Sequence, residues 1–194
     1  MDSSIGIRTK TEYTENRPKR GVTDALQDMI VLVMLLAGVC GQLLKWTQIS
    51  GLRNIHMWWV LSVAVLATVI LTYVTGKRVA GYLSGSVIAL IAVLVHGAGS
   101  VYYGFFGIIN YMISWWNVSR EDAVKLVMEE QITQEDVRVC VMVIGLIMIP
   151  VLWNIVIHRR VVGGILLILA CVVPGLVVQS VSVAACGAFM AGWF

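Results

Sequence analysis

The sequence predicts an all-α fold, a polytopic transmembrane helix bundle of about six membrane helices plus one short amphipathic outer helix. Three observations carry that expectation. First, the 194 residues are 59% hydrophobic and only 13% charged, against about 45–50% and about 25% in a soluble domain. Second, the mean hydropathy is +0.86, which also excludes disorder, because disorder needs low hydrophobicity and high net charge. Third, the apolar residues gather into runs close to the ~20 residues a helix needs to cross a ~30 Å hydrocarbon core. Lipid offers the backbone no water to bond, so such runs are helices. The net charge of +3 is small and its basic residues are clustered, so the implied partner is a lipid bilayer and not nucleic acid.

Residues 1-22 form a polar, basic tail with Arg8, Lys10, Arg17, Lys19 and Arg20. The transmembrane domain is 23-194, with helices expected at about 25-45, 55-75, 79-103, 137-157, 161-178 and 181-194. Asp24 and Asp28 sit one turn apart at the start of the first span. Negative charge is favourable there, and a cation or proton site is the sharper alternative. The third run continues beyond its span. One helix from Val79 to Ser114 would measure about 54 Å, so a break is expected near Gly97-Ala98-Gly99-Ser100 or near Gly104. The remainder then lies along the interface, where Tyr102, Tyr103, Trp115 and Trp116 suit the headgroup level. The last run, Val181 to Phe194, makes only about 21 Å of helix. It reads as part of a longer chain, or as a re-entrant helix.

Lys and Arg set the orientation. With the N-terminus in the cytoplasm, the tail, Lys77, Arg78, Arg159 and Arg160 lie inside. Lys45, Arg53, Arg120, Lys125 and Arg138 lie outside, a smaller set. Trp46, Trp58 and Trp59 then flank the first outer loop and, with Trp115 and Trp116, act as interface anchors. The expected location is a membrane, with the N-terminus on its cytoplasmic side. The outer segment 117-136 carries two helix-start signals, Ser119 with Asp122 and Thr133 with Asp136. Between them Ala123, Val124, Val127 and Met128 make an apolar stripe, read as a short amphipathic surface helix. Asn117-Val118-Ser119 matches a glycosylation sequon hugging the membrane.

Polar residues within spans are functional candidates by default, and here they are few: His96, Asn110 and Asn154. His96 suits a hydrogen bond to a neighbouring helix. With His56 on the same side, it suits a haem or metal site instead. Pro150 frees the carbonyl of Leu146, and Asn154 stands one turn further on. Gly81, Gly85 and Ala89 form a small-residue stripe fitted for close helix packing. Cys40, Cys140, Cys171 and Cys186 include no CxxC pair, so they read as small buried hydrophobes. No catalytic constellation, phosphate loop or dinucleotide fingerprint is present, and no cofactor is implied.

The stretch Phe105-Phe106-Gly107-Ile108-Ile109-Asn110-Tyr111-Met112-Ile113-Ser114-Trp115-Trp116-Asn117 resembles the junction after the third span in bacterial membrane-anchored transglutaminase-like proteins. The turn His158-Arg159-Arg160 and the span through Pro174 are similar as well. The likeness covers about a third of the chain. It implies a membrane bundle anchoring a papain-like domain outside the membrane, C-terminal to residue 194. That family's catalytic Cys, His and Asp belong to the outer domain, so none carries over to this sequence. The leading expectation is therefore a membrane anchor for a larger protein. A small transporter or channel-like subunit lined by His96, Ser100, Asn110 and Asn154 is the alternative, and a haem or metal protein using His56 and His96 a third.

Overall fold

The computed structural model describes residues 21–47, 55–118, 124–127, 129–158, 161–177 and 183–192. These contain seven α-helices: α1 (Val22–Trp46), α2 (Ile55–Thr75), α3 (Arg78–His96), α4 (Ala98–Asn117), α5 (Gln134–His158), α6 (Val161–Val177) and α7 (Val183–Ala191). A 3-10 turn at Glu129–Gln131 precedes α5.

Four helices are long and apolar enough to cross a membrane: α1, α2, Val79–His96 of α3, and α5. Among the described residues, length and composition support four of the six expected spans. α6 has 17 residues, about 26 Å of helix, and α7 has nine, about 14 Å. Both fall short of a ~30 Å core. α4 has 20 residues, but its asparagines, serines and tyrosines dilute its apolar content.

Three local devices explain where the helices begin and end. The Gly21 N–H donates to the Asp24 carboxylate at 2.9 Å, so Asp24 caps α1. Gly97 has φ +83, a left-handed conformation natural to glycine. The third helix therefore stops at His96 and not near residue 103, and α4 restarts at Ala98. Thr133 and Asp136 cap α5 reciprocally. The Asp136 N–H donates to Thr133 Oγ1 at 3.2 Å, and the Thr133 N–H donates to Asp136 Oδ2 at 3.1 Å.

The short amphipathic outer helix is corrected. Residues 124–126 carry no helical structure and 127 lies in a bend, so among the described residues of 119–133 only the 3-10 turn at Glu129–Gln131 coils. The Ser119 signal lies outside the described residues.

α5 is the centre of the bundle. It packs against α1, α2, α3, α4 and α6. Its Leu146, Ile149, Leu152 and Trp153 have no exposed surface. A helix apolar on every side belongs in such a position. The small-residue stripe of α3 meets it closely. Gly85 leaves room for Pro150 and Ile149, and Gly81 for Trp153 and Thr72 of α2. Pro150 lies inside an unbroken α5. Gly145 fits against Cys40 of α1 and Leu61 of α2. α7 runs antiparallel to α1, with Phe189 on Gly38 and Ala185 on Gly41.

The outward faces are apolar too. α3 exposes Val79, Leu83, Val87, Leu90 and Leu94, a stripe at helical spacing, and α2 exposes Val63, Leu66, Ile70 and Val74. Isolated exposed leucines are ordinary, but contiguous apolar stripes are a surface made for lipid or protein. Together with the four long apolar helices, they suggest an integral membrane protein.

Candidate functional site

The polar chemistry gathers in two places, at opposite ends of α5. At its C-terminal end, between α2, α3 and α5, hydroxyls and amides bond one another. Trp153 Nε1 donates to Thr72 Oγ1 at 3.1 Å. The Thr72 hydroxyl donates to the Thr68 carbonyl at 2.8 Å, and the Thr68 hydroxyl to the Ala64 carbonyl at 2.8 Å. The Tyr82 hydroxyl donates to Asn154 Oδ1 at 3.3 Å, joining α3 to α5. At the same end, the Tyr73 hydroxyl donates to the Asp28 carboxylate at 2.8 Å. Asp28 thereby ties α1 to the end of α2, while Asp24 serves as a cap. His158 places Nδ1 3.0 Å from the Asn154 carbonyl. Each of these bonds runs from helix to helix, or back into its own helix. In lipid that satisfies polar groups which water cannot reach.

The second place lies at the N-terminal end of α5, where α4 meets the chain that leads into α5. Gly104 faces the Asp136 carbonyl and Cys140 so closely that a Cβ there would overlap both. A Cβ on Gly107 would stand 2.5 Å from Val137 Cγ2 and 3.0 Å from Ile132 Cγ2. These two glycines let α4 lie directly on the first turns of α5. Beyond them, α4 carries Asn110 and Asn117, seven residues apart. Seven residues are two turns less about 20°, so both side chains share one face.

Both asparagines grip the backbone of residues 124–127. The Val127 N–H donates to Asn110 Oδ1 at 2.9 Å, and Asn110 Nδ2 donates to the Val127 carbonyl at 2.7 Å. The Val124 N–H donates to Asn117 Oδ1 at 2.9 Å, and Asn117 Nδ2 donates to the Val124 carbonyl at 2.8 Å. Each amide side chain therefore satisfies both backbone groups of one valine, as a neighbouring strand would. This is why an apolar stripe at helical spacing does not form a helix here. Val124 and Val127 find their backbone partners on α4 and not within their own segment. Asn110 is 9% exposed and half the grip is buried. Beside it lies a pocket of about 240 Å³, lined by Gly107, Asn110, Tyr111, Ser114, Leu126 and Ile132.

The other residues singled out from sequence are placed as follows. His56 and His96 are both exposed, at the α2 start and the α3 end, and His158 is at the opposite end of the bundle. Among the described residues, no group of three His, Cys, Asp or Glu side chains is arranged to hold a metal. Asn154 pairs with Tyr82, and Asn110 belongs to the grip. Trp46, Trp58, Trp59, Trp115 and Trp116 all lie on the helix ends near the start of α5, away from Trp153 in the core. Trp59 and Trp116 are exposed; Trp46 is buried, and Trp58 and Trp115 are half-buried. The indole N–H groups of Trp46 and Trp115 have no protein partner among the described residues. Sequence reasoning took Asn117 as part of a sequon and as the end of the 105–117 stretch, and gave its side chain no structural role. The signal for its role was present, a second asparagine two turns after Asn110.

No family model, curated protein or solved structure matches this chain.

Proposed function

We propose that this chain is a membrane-embedded scaffold that anchors a water-soluble domain, of the transglutaminase-like kind that the 105–117 stretch resembles. The observation that supports this reading best is the filled centre. α5 packs against five other helices, with Leu146, Ile149, Leu152 and Trp153 fully buried and only a narrow apolar face, Ile147 and Val151, left exposed. The polar side chains around it are consumed by bonds between helices or back into their own helix. Such an interior suits holding helices in place more than passing a solute between them.

In this reading the N-terminus is cytoplasmic, by the Lys and Arg bias. The α4 grip and the tryptophan-rich helix ends then face outward, where an anchored domain would stand. Helices beyond the four long ones complete the expected six by lying in a locally thinned bilayer. The purified protein in liposomes is expected to carry no solute flux across a broad panel of ions and small solutes. Its gene is expected to encode, in the same frame, a domain with a Cys, His and Asp set. A flux abolished by His96→Ala or Asn154→Ala would overturn the scaffold in favour of a transporter.

A further inference from the structure

Three hydrogen-bond donors at one end of the bundle are buried and have no acceptor among the described residues: the indole N–H groups of Trp46 and Trp115, and the Nε–H of Arg138. Buried donors are nearly always paired, because an unmade bond costs the donor its full desolvation. Trp46 is the sharpest case, with only 8% of its surface exposed. Arg138 bonds Glu135 through Nη1 at 3.1 Å, and Glu135 is itself largely exposed.

Two of these donors fall at one level. α1 and α5 run antiparallel: Gly145 stands against Cys40, while Trp153 reaches Thr72 at the end of α2 where Tyr73 bonds Asp28. Seven residues back from Gly145 along α5 is Arg138, and seven forward from Cys40 along α1 is Thr47, next to Trp46. Seven residues are two turns less about 20°, so each step keeps its face and rises about 10.5 Å. Arg138 and the end of α1 therefore arrive level. Trp59 and Trp116 are exposed at the same end, where tryptophan marks the headgroup region of a bilayer.

The chemistry of the pair is one-sided. An indole N–H and a guanidinium N–H donate and cannot accept, and the guanidinium is always charged. Their complement is an acceptor with negative charge. A phosphate group presents several such oxygens at once and is a preferred partner of arginine. At headgroup depth its source is the phospholipid itself.

We propose that the end of the bundle where α1 closes and α5 begins is a phospholipid site, in which Arg138 and the Trp46 indole hold the headgroup phosphate. The site rests on the reading of the bundle as membrane-spanning and is independent of any anchoring role.

The test uses the full chain with its tryptophans labelled by ¹⁵N, in micelles of dodecyl maltoside, which carries no phosphate. Dioleoylphosphatidylglycerol is titrated in, and the Trp46 indole N–H resonance is followed. It is expected to move downfield and saturate, with one lipid retained per chain in native mass spectrometry. Dioleoylglycerol, with the same acyl chains and no phosphate, and inorganic phosphate, with no acyl chains, are expected to leave it in place. Trp46→Phe deletes the N–H and keeps a ring; Arg138→Gln deletes the charge at a partly exposed position, so it tests the site even where Trp46→Phe disturbs packing. Each is expected to weaken lipid binding by about tenfold or more, the loss of a hydrogen bond to a charged group. Trp59→Phe, at an exposed indole of the same end, is expected to bind as the wild type does. The proposal is overturned if the lipid leaves the Trp46 resonance unmoved, if dioleoylglycerol or inorganic phosphate moves it equally, or if Arg138→Gln keeps wild-type affinity.

Discussion

Gly81 is the tightest point in the seam of α2, α3 and α5, and replacing it with alanine gives a calculable penalty. A Cβ there would overlap the Thr72 hydroxyl and stand 2.8 Å from Trp153 Nε1 and 3.1 Å from the Thr68 carbonyl. Two of those neighbours form the Trp153–Thr72 bond, and the third is backbone. Overpacking costs typically 1–3 kcal/mol; about 2 suits a contact against a fully buried Trp153. Losing a hydrogen bond between helices in a membrane adds ~0.6 kcal/mol. The better helix propensity of alanine returns ~1 kcal/mol. The net expectation for Gly81→Ala is a destabilisation of about 1.5 kcal/mol, a factor of about 13 in the folding equilibrium. Reversible unfolding by denaturing detergent in mixed micelles, followed by far-UV circular dichroism, measures it. The mechanism is checked by a double-mutant cycle. In a Thr72→Ala background the obstructing hydroxyl is gone, and most of the Gly81→Ala penalty should go with it. In Thr72→Ser the hydroxyl remains, and so should the penalty. A Gly81→Ala protein as stable as the wild type, or an equal penalty in both backgrounds, would refute this account of the seam.

Other outcomes follow from the same geometry. Gly99 and Gly187 have nothing within 4 Å of an added Cβ and no positive φ, so alanine at either should be neutral or stabilising by up to ~1 kcal/mol in the same unfolding assay. Thr133→Ala removes the α5 cap and should cost ~1 kcal/mol, with faster amide exchange at Asp136, whose N–H loses its acceptor. The Cβ position of Gly41 lies 3.4 Å from Ala185 Cβ, near disulfide spacing. The pair Gly41→Cys and Ala185→Cys, placed in a chain lacking the four natural cysteines, should therefore cross-link α1 to α7 under mild oxidation, seen by mass spectrometry. Gly38→Cys with Gly187→Cys gives the comparison, because Gly187 has no neighbour and should not cross-link.

Much of this arrangement is legible in the sequence because its causes are local. Long apolar runs can only be helices in lipid, and α1, α2 and α5 follow from them. The break in the third run falls at Gly97 because its left-handed φ is costly for other residues. The Thr133–Asp136 pair marks the start of α5 through bonds spanning three residues. The small stripe of α3 meets large partners, Trp153 and Pro150. What was not legible depends on partners distant in the chain. Ala123, Val124, Val127 and Met128 have helical spacing, and the asparagines of α4 bond the backbone of Val124 and Val127 in a non-helical form. Those bonds span seven and seventeen residues, beyond the reach of local propensity. Asn110 looked like a polar group in search of a role inside the membrane. Its position two turns before Asn117 was the better clue. The number of spans was less legible: apolar composition marks α6 and α7 as buried or lipid-facing, but their described lengths of 17 and nine residues are shorter than the runs that predicted them.

The most direct test of the account is the side of the membrane on which each end of α5 lies. Lys125 sits in the gripped segment and Lys77 in the turn between α2 and α3, and both are exposed. Each is changed singly to cysteine, Lys125→Cys and Lys77→Cys, in the cysteine-free chain, and intact cells are treated with a membrane-impermeant maleimide. The account predicts labelling at position 125 in intact cells, and at position 77 only after permeabilisation. Labelling of both positions from the same side would contradict a bundle that spans the membrane between them. Labelling of position 77 alone would contradict the cytoplasmic N-terminus.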